Sequence, residues 1–295
     1  MKIQFLNGGL ANQAFQYIFA RYFELSHPGE MMFMDDSYFA LHTVHNGYEL
    51  DKVFGIKAHM LSECFDDEVW QFILEQRREG KSVPQILCDN GMPFFMLSEV
   101  GENHKSFNPF NGKVVSIPCN QYFPQILNTS EDIYYHGYWI NKQWFERYKS
   151  VFLEEFQFPP IMEEHNKYYM DKIQTSDSVS MHIRRGDYVT LGWEQPLEIQ
   201  RKLIEEFVKL QSDSGSLFVF SDDIEWCKEH QEQIGLNRFA HTYFVAGNSN
   251  GMNYRDLQLM SQCKSMIMSN SAFCYLAVLL NTKKQFVLNP TNREV

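Results

Sequence analysis

An α/β fold in two lobes, the second a doubly wound and mostly parallel sheet, is what the sequence predicts. From residue 163 onward, helical stretches of ten or so residues alternate with short apolar runs, as in a parallel sheet covered by helices. Pro159-Pro160 interrupts the helical pattern just before that alternation begins. The chain has 295 residues, 44% of them hydrophobic, enough for two cores of about 150 residues each. The lobes are drawn at residues 1–160 and 161–295.

The N-terminal lobe opens with a strand, Ile3 to Leu6, that runs into Asn7-Gly8-Gly9. A helix from Asn12 to Leu25 follows. Phe15, Ile18, Phe19 and Tyr22 recur along it at spacings of three and four, and Asn12 is placed to cap it. Met31 to Met34 reads as a buried strand ending in Asp35-Asp36, and Glu63 to Arg78 as a helix. Gly91 to Pro124, with many aromatics and prolines, reads as loops. Ile133 to Trp139 leads through Lys142 into a helix bearing Trp144, Phe145, Tyr148 and Phe152.

The C-terminal lobe is more regular. Helix Glu163–Gln174 precedes strand Val179–Ile183, and helix Pro196–Leu210 precedes strand Leu217–Phe220. Helix Ile224–Ile234 precedes strand Thr242–Val245, and helix Tyr254–Cys263 precedes strand Ser265–Met268. Helix Ala272–Leu280 leads to a last strand, Gln285–Leu288.

Composition narrows the function classes. The formal net charge is -11, so the basic footprint of a nucleic-acid binder is missing, while a local cationic pocket stays open. The six cysteines form no C-x-x-C pair and no zinc-ligand spacing, which fits free thiols in a reducing compartment. No signal-peptide core precedes the first strand, and no apolar run reaches the ~18 residues of a spanning helix. The expectation is a cytoplasmic protein, associated at most peripherally with a membrane. The oligomeric state is not legible.

Ligands of such sheets bind at the carboxyl ends of strands. Strand Val179–Ile183 ends in Arg184-Arg185-Gly186-Asp187, strand Leu217–Phe220 in Ser221-Asp222-Asp223, and strand Ser265–Met268 in Ser269-Asn270-Ser271. Arginine clamps phosphate oxygens bidentately, a helix N-terminus offers free N–H groups to an anion, and a carboxylate can accept from guanine. The bland readings are a paired surface charge cluster for the arginines and Asp187, and helix caps for one of Asp222 and Asp223 and for Ser269 and Ser271. Convergence of the three clusters on one sheet edge favours a nucleoside diphosphate pocket.

At these residues the sequence resembles the bacterial alpha-1,2-fucosyltransferase family (glycosyltransferase family 11). The string H-x-R-R-x-D followed by Tyr-Val stands as His182-Ile183-Arg184-Arg185-Gly186-Asp187-Tyr188-Val189. The opening G-G-L-G-N-Q-M-F-Q-Y resembles Gly8-Gly9-Leu10-Ala11-Asn12-Gln13-Ala14-Phe15-Gln16-Tyr17, with Ala11 and Ala14 as departures. F-S-D-D-x-x-W is complete from Phe220 to Trp226. D-L-x-L-M-S-x-C stands at Asp256 to Cys263, and Asn270-Ser271-Ala272-Phe273-Cys274-Tyr275 is similar to the closing motif. Gly137-Tyr138-Trp139-Ile140 is similar to G-Y-x-Q, with Ile140 for Gln. The stretch from Cys88 to Phe123 has no counterpart.

The resemblance implies a GT-B-like fold, with two Rossmann-like lobes and a cleft between them. It implies a metal-independent, inverting enzyme that moves L-fucose from GDP-β-L-fucose to the 2-hydroxyl of a galactose-containing glycan; no cofactor is expected, and no D-x-D follows a strand. Arg184 is implied as the cation on the departing phosphate and Arg185 as a second contact or a partner of Asp187. His182, Asp222, Asp223, Ser269, Asn270 and Ser271 are donor-binding candidates, Asp222 foremost for guanine or ribose. Asn12 and Gln13 are implied for the fucosyl group or acceptor. Asp187 and Glu194 lie just past the arginines, and each is a candidate either for the base or for orienting them. The competing readings are transfer to another acceptor, such as protein, and a GDP-sugar-binding protein without turnover.

Overall fold

Two units divide the chain, Met1–Gln157 and Phe158–Val295, each built on its own parallel sheet in this computed structural model, which describes residues 1–43, 45–100 and 110–290. In the first unit the strands are β1 (Lys2–Phe5), β2 (Met32–Asp35), β3 (Phe95–Val100), β4 (Val114–Pro118) and β5 (Ile133–His136). Their order is β2-β1-β5-β3-β4, with every pairing parallel. Helix Leu10–Ser26 lays its long apolar face on the unit's core, and Phe19 stacks on Trp139 with centroids 4.1 Å apart.

Several sequence expectations for this unit are corrected. The first helix begins at Leu10 and its capping residue is Gly9, so Asn12 lies inside the first turn and is not the cap. The segment from Gly91 to Pro124 is not all loop: it contributes β3 and the edge strand β4. Of the unplaced Cys88 to Phe123 stretch, residues 101–109 lie outside the described residues. The helix from Glu63 to Arg78 is a 3-10 turn, Leu61–Cys64, followed by a helix, Asp67–Arg78, that Asp66 caps by accepting from the Val69 N–H. The helix after Lys142 is two short ones, Lys142–Glu146 and Lys149–Glu155.

The second unit carries β6 (Ser178–Ile183), β7 (Ser216–Ser221), β8 (His241–Phe244), β9 (Ser265–Ile267) and β10 (Phe286–Leu288) in the order β10-β9-β6-β7-β8, again all parallel. β6 is buried along its whole length, as expected of a strand covered by helices on both faces. The chain leaves β6 through β7 to β8 on one side, then returns to place β9 and β10 on the other. That reversal opens a crevice between the carboxyl ends of β6 and β9. The segment expected as one helix from Ile224 to Ile234 breaks into Ile224–Glu229 and Gln231–Ile234. No helix among the described residues is long and apolar enough to cross a membrane.

Candidate functional site

The crevice end of β6 presents His182, then the two arginines. His182 is 7% exposed, and its Nδ1 lies 2.8 Å from the Ser269 hydroxyl beyond β9. Burial, reinforced by the Arg184 charge, pushes the His182 imidazole down to about 3, so it is neutral at any working pH. Ser269 also accepts from the Ser271 N–H, and Ser271 caps the helix Ala272–Leu280 through the Phe273 N–H at 3.2 Å. The cap reading of Ser271 therefore holds, while Ser269 is occupied by the histidine.

Arg184 is held at both ends of its fork. One terminal nitrogen lies 2.7 Å from Asp187 Oδ1 and the other 2.8 Å from Asp222 Oδ2. Arg185 takes different partners: Glu194 at 2.9 Å and Asp223 at 3.2 Å, with its guanidinium 3.7 Å above the Trp226 ring. The alternative pairing of Arg185 with Asp187 is not formed. This geometry explains the D-D-x-x-W spacing: Asp223 and Trp226 stand three apart on one helical turn and grip the same guanidinium. Sequence reasoning missed Trp226 as a support of Arg185, while Glu194 takes the orienting role that the sequence left open for it.

The two aspartates after β7 are busier than a guanine-reading role requires. Asp223 Oδ1 caps the helix Ile224–Glu229 through the Trp226 N–H, and its Oδ2 meets Arg185. Asp222 Oδ1 accepts the Arg185 backbone N–H at 2.8 Å while Oδ2 holds Arg184. A Cβ at position 186 would run into Asp222 Oδ2, so only glycine lets this carboxylate close over the backbone. Asp222 thus staples the arginine loop to the end of β7. Asn270 donates to the Trp193 carbonyl at 3.0 Å, tethering the segment after the short helix Gly186–Leu191.

Asn12 and Gln13 belong to the first unit and end differently. Gln13 is fully buried: its amide nitrogen donates to the Gly8 and Gly47 carbonyls, and its oxygen accepts the Glu49 N–H. Those three bonds make it a brace of the Gly8-Gly9 turn. Asn12 is half-buried, packed so closely that a Cβ on Gly8 would come within 2.6 Å of its Nδ2; Gly8 also has φ +79.

Residues 113–294 match the model of glycosyl transferase family 11. An alpha-1,2-colitosyltransferase of Escherichia coli is 29% identical over 92% of this chain and 84% of its own length. The O-antigen biosynthesis glycosyltransferase WbnK, also from Escherichia coli, is 26% identical over 97% and 92%. Among solved structures, the fucosyltransferase NodZ from Bradyrhizobium superposes with a TM-score of 0.50 at 14% identity, covering 95% of this chain and 93% of that one. At that identity the likeness speaks to the fold, which is GT-B-like, with two parallel-sheet α/β lobes. With the match extending over more than half its length, the chain belongs to glycosyl transferase family 11.

Proposed function

We propose that the chain transfers L-fucose from GDP-β-L-fucose to the 2-hydroxyl of a β-galactoside in an oligosaccharide or lipid-linked glycan, with inversion and without a metal ion. The observation that carries this reading is the meeting of Arg184 with neutral His182 and the Ser271-capped helix N-terminus at one topological switch point. Departure of the nucleotide loads negative charge onto the β-phosphate, and a cation already in place stabilises that charge most where water is excluded. Arg184 is that cation. The diphosphate must first replace one of its carboxylate partners. Asp222 is also held by the Arg185 N–H, whereas Asp187 is 51% exposed on its side chain and, among the described residues, held by Arg184 alone. Asp187 is the one that yields, and once released it accepts the acceptor proton. In the tautomer that accepts the Ser269 hydroxyl at Nδ1, the other ring nitrogen carries the proton and bonds a phosphate or ribose oxygen.

Incubation with GDP-fucose, lactose and EDTA is expected to release GDP and yield a fucosylated product. No release, or release only with added Mn²⁺, sinks the reading. Arg184→Ala is expected to abolish turnover. The colitosyltransferase relative favours a second reading, a donor carrying colitose, the 3-deoxy counterpart of fucose. GDP-colitose offered in parallel with GDP-fucose decides between them through the two kcat/KM values.

A further inference from the structure

We infer that Trp193 is the platform on which the acceptor sugar stacks, a role that rests on the transferase reading above. The segment after Arg185 is built unlike the rest of its unit. Its short helix, Gly186–Leu191, buries none of its residues, and polar tethers rather than a core hold the segment: Arg184 to Asp187, Arg185 to Glu194, and Asn270 to the Trp193 carbonyl. At its end Trp193 leaves its indole 43% exposed.

That exposure is paired with rigidity. The Trp193 N–H donates to the Tyr188 carbonyl at 2.8 Å, and its own carbonyl accepts from Asn270 at 3.0 Å. The backbone is thus pinned on both sides of the residue, and the Tyr188 ring meets the indole edge-on with centroids 5.7 Å apart. An exposed aromatic fixed in this way loses little freedom when a ligand covers it.

The location fits one occupant. The Arg184 guanidinium lies 5.4 Å from the Tyr188 centroid, so Arg184, Tyr188 and Trp193 form one continuous row. An acceptor hydroxyl has to come within about 3.5 Å of the anomeric carbon attached to the phosphate that Arg184 holds. A pyranose lying against the Trp193 ring bridges that row. Galactose suits it: its axial 4-hydroxyl leaves C3–H, C4–H and C5–H on one apolar face, and stacking that face leaves the equatorial 2-hydroxyl free at the ring edge.

Two arms test the inference in the full-length protein. Turnover of GDP-fucose by the wild type reports on the transferase reading alone. Platform binding is read separately by ¹⁹F NMR of protein labelled with 5-fluorotryptophan and saturated with GDP, the five tryptophans being distinguished by Trp193→Phe. Methyl β-galactoside is expected to shift the Trp193 resonance. Trp193→Ala is expected to raise the galactoside KM at least about tenfold, equivalent to about 1.4 kcal/mol, with the GDP-fucose KM unchanged and Trp193→Phe restoring part of the loss. Leu191→Ala, at a still more exposed position of the same segment, is expected to leave the galactoside KM alone. A Trp193 resonance indifferent to saturating galactoside overturns the inference. So does a Trp193→Ala enzyme whose donor and acceptor constants worsen together, which would make Trp193 only a strut of the segment.

Discussion

Gly186 and His182 show how single positions set the chemistry of the arginine loop. The Asp222 carboxylate closes over Gly186 where a side chain would stand. Gly186→Ala should therefore push Asp222 off Arg184, cost about 1–3 kcal/mol by overpacking and lower kcat/KM; thermal melts and steady-state kinetics measure both, and an unchanged pair refutes the close contact. His182 behaves oppositely to a surface histidine. Its folded value near 3 lies below the ordinary 6.5, so between those limits the unfolded chain binds the extra proton and stability rises with pH. The contribution is complete above 6.5 and is lost as the pH falls toward 3. His182→Asn should flatten that slope in urea titrations run across the window, and an unaltered slope would show the imidazole to be solvated.

At the level of elements, helix Tyr254–Met260 fastens the start of the second unit. Arg255, 3% exposed, donates to the Pro159 and Pro160 carbonyls and pairs with Glu163 at 3.1 Å. Its neighbour Asp256 accepts from Asn248 in a network with Asn166 and His165. Burial raises the Asp256 carboxyl to about 7, so the folded state holds a proton the unfolded state has released. The stability this gives is complete below the ordinary 3.8 and is lost as pH rises through 7. Asp256→Asn should accordingly raise Tm at pH 8 and leave it unchanged below about pH 4; equal Tm values at pH 8 would refute the buried proton. Elements were legible where the sequence is locally one-sided. β6 and β7 are apolar runs because helices cover both faces, and Ala272–Leu280 was read to the residue. β4 escaped because Val114 and Val115 face solvent on a sheet edge, leaving no pattern to read. The bracing role of Gln13 was not legible because burial of its amide depends on Gly47 and Glu49, more than thirty residues away.

For the whole molecule, separate apolar clusters among the described residues underlie the two units. On the proposed reading GDP binds the second. At a hundredfold excess over Kd it should stabilise that unit by about 2.7 kcal/mol through mass action. Hydrogen exchange should then slow at the ends of β6, β7 and β9, with the β1 and β5 core of the first unit unchanged; equal protection of both units would contradict the placement. The convergence of Arg184, His182 and Ser269 was readable because strand ends in a parallel sheet share one edge. The partners of Arg185 were not, since Trp226 reaches it across 41 positions only after the sheet has formed.

On the proposed reading, the doubly occupied fork of Arg184 also bears on product release. Asp187 and Asp222 are tethered rivals of any anion that comes to this guanidinium. Stray phosphate therefore meets a site already neutralised, and a ligand must bring contacts beyond its charge to hold its place. On the proposed reading Asp187 holds the acceptor's proton after transfer; once it passes that proton to water it returns to Arg184 as a carboxylate and speeds the departure of GDP, so the resting ion pairs favour turnover over product inhibition.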